Sequence, residues 1–363
     1  YIGCAFIFSS VLGMVWISYY CHIATRFLTG IGVGILCTVC PSHVVDVCRP
    51  RNRGKLGGLF QVSIAFGIVS AAMVSYVVLG PFRELSADAF CENVDLAALQ
   101  RKIRTALLVP VCISIALALS TACLTNFSKI GQSCAMRQTA STFEPRLQLF
   151  KKYQKAIYIS IVGSVALQLT GINAIWFYTF RFFDLAGITR KSLGIIVITL
   201  VDLSATLVSM GLSDRVGRKP LVLIGLATMS ITLFAMCFVN RLIFFTADGR
   251  QSLQTTWVGL SLLALYLYGF NTGIGFHFWV VVNEVLPQAI AQTGFALSNV
   301  LKWIFLILVT VFFPIVENQC GSLVLCMFGS IAVACCVFFY RELPETNGFS
   351  KEEIYERLFP REK

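Results

Sequence analysis

Charge is scarce in this chain. Asp, Glu, Lys and Arg make up 13% of its 363 residues, against 57% for hydrophobic types. Soluble domains carry about a quarter charged residues, so an ordinary water-facing surface is excluded. Acidic residues are the scarcer sign, 18 against 29 basic ones, leaving a net charge of +11. Runs of alternating polarity are also lacking, which excludes a closed membrane barrel. No nucleotide-binding loop occurs, and that argues against ATP-driven pumping. Neither an initiator Met nor a signal-peptide pattern stands at the start. The chain opens at Tyr1 directly in an apolar run and reads as a fragment of a longer one.

What it has instead is long apolar segments, at roughly 2–19, 22–46, 57–80, 104–124, 155–180, 192–213, 220–240, 257–286, 293–316 and 321–341. Each is long enough to cross a hydrocarbon layer of ~30 Å as a helix rising ~1.5 Å per residue. The expected fold is therefore all-α, a polytopic membrane helix bundle with ten spans. The loops 47–56, 125–155 and 214–219 with the tail from 341 hold twice the Lys and Arg of the loops 81–104, 181–191 and 241–250. By the positive-inside bias the first set is cytoplasmic, and both termini of the chain lie on that side. The basic excess is a topology signal and a fit to anionic lipid, so no nucleic-acid partner is expected.

Fourteen cysteines fall mostly within apolar runs, where they act as small hydrophobes. Cys37 and Cys40 form a C-x-x-C on a membrane helix, which reads as packing. Cys91 and Cys320 lie in exterior loops and are able to pair. The sequon at Asn126 falls on the cytoplasmic side and is expected to be unused. No metal or cofactor is implied.

The stretch led by Gln168 and running from Gly171 through Asn173 to Trp176 and Tyr178 carries two amides inside an apolar span. An amide in hydrocarbon is expensive without a partner, and amides both donate and accept, as sugar hydroxyls do. Five residues turn Gln168 and Asn173 apart by ~140° on a regular helix, so they share a face only if the helix breaks. Gly171 between them permits a break. The segment 125–154 separates four spans from six. On both sides of it an acid at a span exit precedes a proline: Asp46 with Pro50, and Glu284 with Pro287. An amide follows each acid by fifteen residues, Gln61 and Asn299. Paired halves are the build of many secondary transporters.

Several strings together resemble the sugar porters, the glucose-transporter branch of the major facilitator superfamily. Arg26-Phe27-Leu28-Thr29-Gly30-Ile31-Gly32-Val33-Gly34 is similar to R-x-x-x-G-x-G-x-G of that family's fourth helix. Asp46 followed by Arg53-Gly54, then Leu59-Phe60-Gln61, match the fourth helix end and the fifth helix. Gln168-Leu169-Thr170-Gly171-Ile172-Asn173 resembles Q-Q-x-S-G-x-N of the seventh. Asp214-Arg215-Val216-Gly217-Arg218-Lys219 resembles the D-R-x-G-R-R loop after the eighth. Trp279 and Glu284 stand where the tenth helix has its Trp and Glu, and Pro344-Glu345-Thr346-Asn347-Gly348 is similar to P-E-T-K-G after the twelfth. The matches run in order from residue 26 to 348.

The resemblance implies the major facilitator fold with about ten of twelve membrane helices present. Residues 1–124 would be the remnant of the N-terminal half (helices 3–6) and 125–154 a cytoplasmic linker. The six-helix C-terminal half would be 155–342 and the cytoplasmic tail 343–363. It implies a carrier, not an enzyme, that moves a glucose-like hexose through the plasma membrane by facilitative alternating access. Proton-coupled symport is the alternative, and a non-transporting sensor or a defective fragment is another. Gln61, Gln168 and Asn173 would contact hydroxyls. Trp279 and Phe270 would form the apolar wall, with Asn271 as a further polar contact. Asp46 with Arg53, Asp214 with Arg215 and Arg218, and Arg26 with Glu284 would form ion pairs at the cytoplasmic span ends. No oligomeric state is implied.

The chain departs from the pattern in several places. Leu167 replaces a second Gln, and the stretch Gly273-Ile274-Gly275-Phe276-His277-Phe278-Trp279 lacks the family's prolines. Ala291 stands where an Arg would pair with Glu284. No P-E-S-P-R-like string follows the sixth helix. Asp202 and Lys302, the latter beside Trp303, fall mid-span where amides commonly line the sugar pocket. A lone charge at that depth costs several kcal/mol, so the two are expected to pair across the cavity.

Overall fold

A long apolar segment away from water satisfies its peptide groups best as a helix. The computed structural model describes residues 6–7, 19–47, 53–79, 146–185, 191–245, 253–287, 289–349 and 351–359. Among them no strand occurs. The helices are α1 (Tyr19–Val47), α2 (Arg53–Leu79), α3 (Arg146–Lys152), α4 (Gln154–Leu169), α5 (Ile172–Leu185), α6 (Lys191–Val216), α7 (Arg218–Phe245), α8 (Leu253–Phe270), α9 (Phe276–Val285), α10 (Ala291–Cys320), α11 (Leu323–Glu342) and α12 (Lys351–Leu358). A π-helical turn, Asn271–Gly275, joins α8 to α9. Eight described segments are long and apolar enough to cross a membrane, from Ile23–Pro41 to Leu323–Glu342. The spans expected at 2–19 and 104–124 lie outside the described residues, apart from 6–7 and 19. So do Cys91 and Asn126.

The chain divides into two compact units. One is Tyr1–Val39 with Met73–Leu149, the other Cys40–Ala72 with Phe150–Lys363. Residues 40–72, which include Gln61, thus belong to the same unit as the six C-terminal spans. Within that unit α7 packs against α8 and α11, and α4 against α10. The Ser164 hydroxyl on α4 donates to the Ser298 carbonyl on α10 at 2.8 Å. Other hydroxyls bond back to their own helix, as Ser160 does to Ala156 and Thr170 to Ala166. This meets their hydrogen-bonding need without water. The outer side of α10 presents Val300, Ile304, Ile307, Val311 and Ile315 in the open. That apolar stripe is the face offered to lipid.

Glycine sets two features that position the site. Gly171 has φ +91°, ends α4 and lets α5 begin in a new direction. On α7, a Cβ at Gly225 would fall 2.3 Å from the Cα of Gly273. Only glycine lets these two backbones approach so closely. The expected tail carries a short helix, Lys351–Leu358. Ile354 and Leu358 of α12 are buried, and Tyr355 meets Tyr153 edge-on at 5.6 Å.

Candidate functional site

The break at Gly171 brings the two expected amides together. Asn173 donates from Nδ2 to Oε1 of Gln168 at 2.7 Å. Gln168 is buried and Asn173 partly so. Tyr266 on α8, fully buried, donates to the Thr170 carbonyl at 3.0 Å and braces the break.

A second cluster centres on Trp279 of α9. Its indole N–H donates to Oε1 of Gln61 on α2 at 3.0 Å, and Phe60 packs edge-on against it at 4.6 Å. The expected wall residue therefore also fixes an expected hydroxyl contact. The Lys302 ammonium lies 4.5 Å from the ring centroids of both Trp279 and Trp303. Such placement is favourable by cation–π attraction.

The third cluster lies between α6 and the π turn. Asn271 donates from Nδ2 to Asp202 Oδ1 at 2.7 Å and to the Leu267 carbonyl at 3.1 Å. Its own Oδ1 accepts from the Thr206 hydroxyl at 3.1 Å. Both amide hydrogens are thus committed, so Asn271 holds Asp202 in place and has only acceptor capacity left. The expected Asp202–Lys302 ion pair is corrected. Among the described residues Asp202 is bound by an amide, while Lys302 rests on two indoles. Phe270 is buried at the end of α8, its ring against Gly275.

At the cytoplasmic end by the positive-inside reading, Arg218 is the hub. Its side chain is fully buried and pairs with Asp214 at 3.6 Å and Glu284 at 3.5 Å. Arg215 is exposed, so the hub involves only the second of the two arginines expected beside Asp214. Glu284 is engaged by Arg218. Arg26, its expected partner, is exposed and belongs to the other compact unit. The side chains of Asp46 and Arg53 lie outside the described residues.

Glu345 and Asn347 were missed as members of this hub. Glu345 accepts from the backbone N–H of Arg218 at 3.0 Å, of Lys219 at 3.1 Å and of Asn347 at 2.8 Å. A carboxylate thus caps the N-terminus of α7, where the helix dipole favours negative charge. Asn347 accepts from the Arg218 guanidinium and donates to the Asp214 carbonyl. The signal was present in the string Pro344–Gly348, an acid just past a span, but nothing in it named the distant helix end. The described residues hold no cluster suited to a metal ion.

The model of the family described as "Sugar (and other) transporter" matches residues 1–91 and 121–358. The chain belongs to that family. Its eight described membrane-length helices agree with that membership. It is 26% identical over 356 residues to a protein named solute carrier family 2, facilitated glucose transporter member 2, of Gallus gallus. That match covers 93% of this chain and 65% of the relative. It is 28% identical over 386 residues to a facilitated trehalose transporter of Drosophila pseudoobscura pseudoobscura, covering 98% of this chain and 42% of the relative. The chain thus spans less than two thirds of the length of either. Among solved structures, a proton:xylose symporter bound to 6-bromo-6-deoxy-D-glucose superposes with a TM-score of 0.75 at 22% identity. That match covers 98% of this chain and 82% of the symporter, and establishes the shared fold.

Proposed function

We propose that this sugar-transporter-family chain moves a glucose-like hexose down its gradient by alternating access, as a facilitative uniporter of the plasma membrane with both chain ends cytoplasmic. The observation that carries the reading is the pair of uncharged amides, Gln168 and Asn173, joined across a helix break in mid-span. Amides exchange hydrogen bonds with hydroxyls without a charge to desolvate. Trp279, held by Gln61, supplies a flat apolar face of the kind a sugar ring rests on. Gln61, Gln168, Asn173 and Trp279 are the proposed guest contacts. Phe270, Asn271, Asp202, Lys302 and Trp303 line or brace them. The relatives named as glucose and trehalose transporters support a sugar as cargo. In this reading Arg218 with Asp214 and Glu284 forms a state-dependent latch, and so does Asp46 with Arg53; Arg26 is a further gating charge. Residues 1–124 belong to the N-terminal half and 155–342 to the C-terminal half.

Uptake of labelled hexose by the full chain in lipid vesicles tests this. Saturable uptake, competed by unlabelled hexose, is expected. Uptake no greater than in protein-free vesicles would overturn it.

A second reading, proton–sugar symport, is favoured by one observation: Asp202 is a mid-span carboxylate held by an amide instead of a cation. Alkalinisation of the medium on adding sugar would select it over uniport, and an unchanged pH would exclude it.

A further inference from the structure

The span formed by α8 and α9 breaks without a proline. Gly273, inside the π turn, has φ −93° and ψ −120°, and five residues with no proline separate the two helices. Something other than a pyrrolidine ring must fix where α9 begins.

The Gly273 carbonyl accepts two hydrogen bonds, from the backbone N–H of Phe276 and from Nδ1 of His277 at 2.9 Å. A carbonyl oxygen only accepts, so Nδ1 carries the hydrogen and Nε2 is left as an acceptor. His277 is fully buried, and among the described residues Nε2 has no hydrogen-bond partner. A buried polar atom left unsatisfied destabilises, and a Phe or Leu would fill the space without that penalty. The chemistry that makes a histidine useful here is thus the bond to Gly273. The same span uses the same device twice more. Asn271 bonds back to Leu267, and Asn283 to the Trp279 carbonyl at 2.8 Å.

We propose that His277 is a positioning residue for transport. Its bond to the carbonyl at the break fixes the start and direction of α9. That in turn seats Trp279, two residues on, against Gln61 and under Lys302. His277 acts through Trp279 and does not touch the guest. The proposal rests on the sugar-carrier reading only for its kinetic readout.

Two variants of the full chain test it. H277F keeps a flat ring of similar size and removes the donor. H277N restores a short amide donor of the kind that Asn271 and Asn283 already use for the same bond. In vesicles, H277F should raise the half-saturating hexose concentration about fivefold, the effect of one lost hydrogen bond, with a smaller change in maximal rate. H277N should stay within about twofold of the parent on the same scale. Thermal unfolding of the purified proteins without sugar should give the order parent, H277N, H277F. If His277 serves only to fill space, the order reverses: H277F unfolds at a higher temperature than H277N and has the lower half-saturating concentration; that result overturns the proposal. A parent that moves no hexose refutes the carrier reading, while the unfolding order still decides the role of His277. Should H277F fail to fold, H277N decides alone. A midpoint near the parent's supports the proposal, and failure of H277N to fold overturns it.

Discussion

Asn173 and Gln168 meet at 2.7 Å, although five residues of regular helix would turn their side chains apart by ~140°. The meeting depends on Gly171, which adopts φ +91° between α4 and α5. A Cβ there would also lie 2.6 Å from the Phe328 ring. Gly171→Ala is therefore strained twice and should lower stability by about 1–3 kcal/mol. The check is the thermal midpoint of the purified variant beside its hexose uptake, and both should fall. A midpoint equal to the parent's would show that the break tolerates an ordinary residue.

Arg218 and Arg215 give a contrast within one loop. Arg218 is buried between Asp214 and Glu284, whereas Arg215 is exposed. Removing one member of a buried ion pair leaves the other charge uncompensated and costs about 3–5 kcal/mol. Exposed positions away from such features change stability by about 0.5 kcal/mol or less. Arg218→Ala should accordingly lower the unfolding midpoint far more than Arg215→Ala. Equal effects would contradict the burial of the hub.

Glu345 should matter more than its place in a polar tail suggests. It takes three backbone N–H groups, two of them at the start of α7. Glu345→Ala leaves those donors unmet and should cost about 1–2 kcal/mol, the usual range for losing a helix cap. Glu345→Gln, which keeps an acceptor oxygen, should recover part of the loss. An Ala variant as stable as the Gln variant would end this assignment.

The sequence made the helices legible because an apolar run of twenty residues has few alternatives. It also made the amide pair legible, since Gly171 sits where a break is required. The partners of Asp202 were read wrongly for a physical reason. Opposite charges at similar depth suggest an ion pair, but pairing depends on distance and direction. Asn271 reaches Asp202 first, and the ammonium of Lys302 finds two indole faces. Glu345 was invisible as a cap because its partners lie 126 and 127 residues away. His277 drew notice only as a departure from a proline pattern, and the use of its imidazole shows only once Gly273 leaves the helix.

Were Asp202 and Lys302 paired, Lys302→Ala would be much more damaging alone than together with Asp202→Asn. With Asp202 bound by Asn271, the two substitutions should add to within about 0.5 kcal/mol in unfolding free energy. Rescue of Lys302→Ala by Asp202→Asn would restore the ion pair to the account.

The central claim is that uncharged amides in mid-span bind a hydroxyl-rich guest, and hexose uptake by Gln168→Ala and Asn173→Ala in vesicles tests it most directly. Each variant removes a hydrogen-bonding partner of a guest hydroxyl, worth about 1–3 kcal/mol, so uptake efficiency should fall roughly 5- to 150-fold while the protein stays folded. Folded variants that take up hexose as the parent does would contradict the claim.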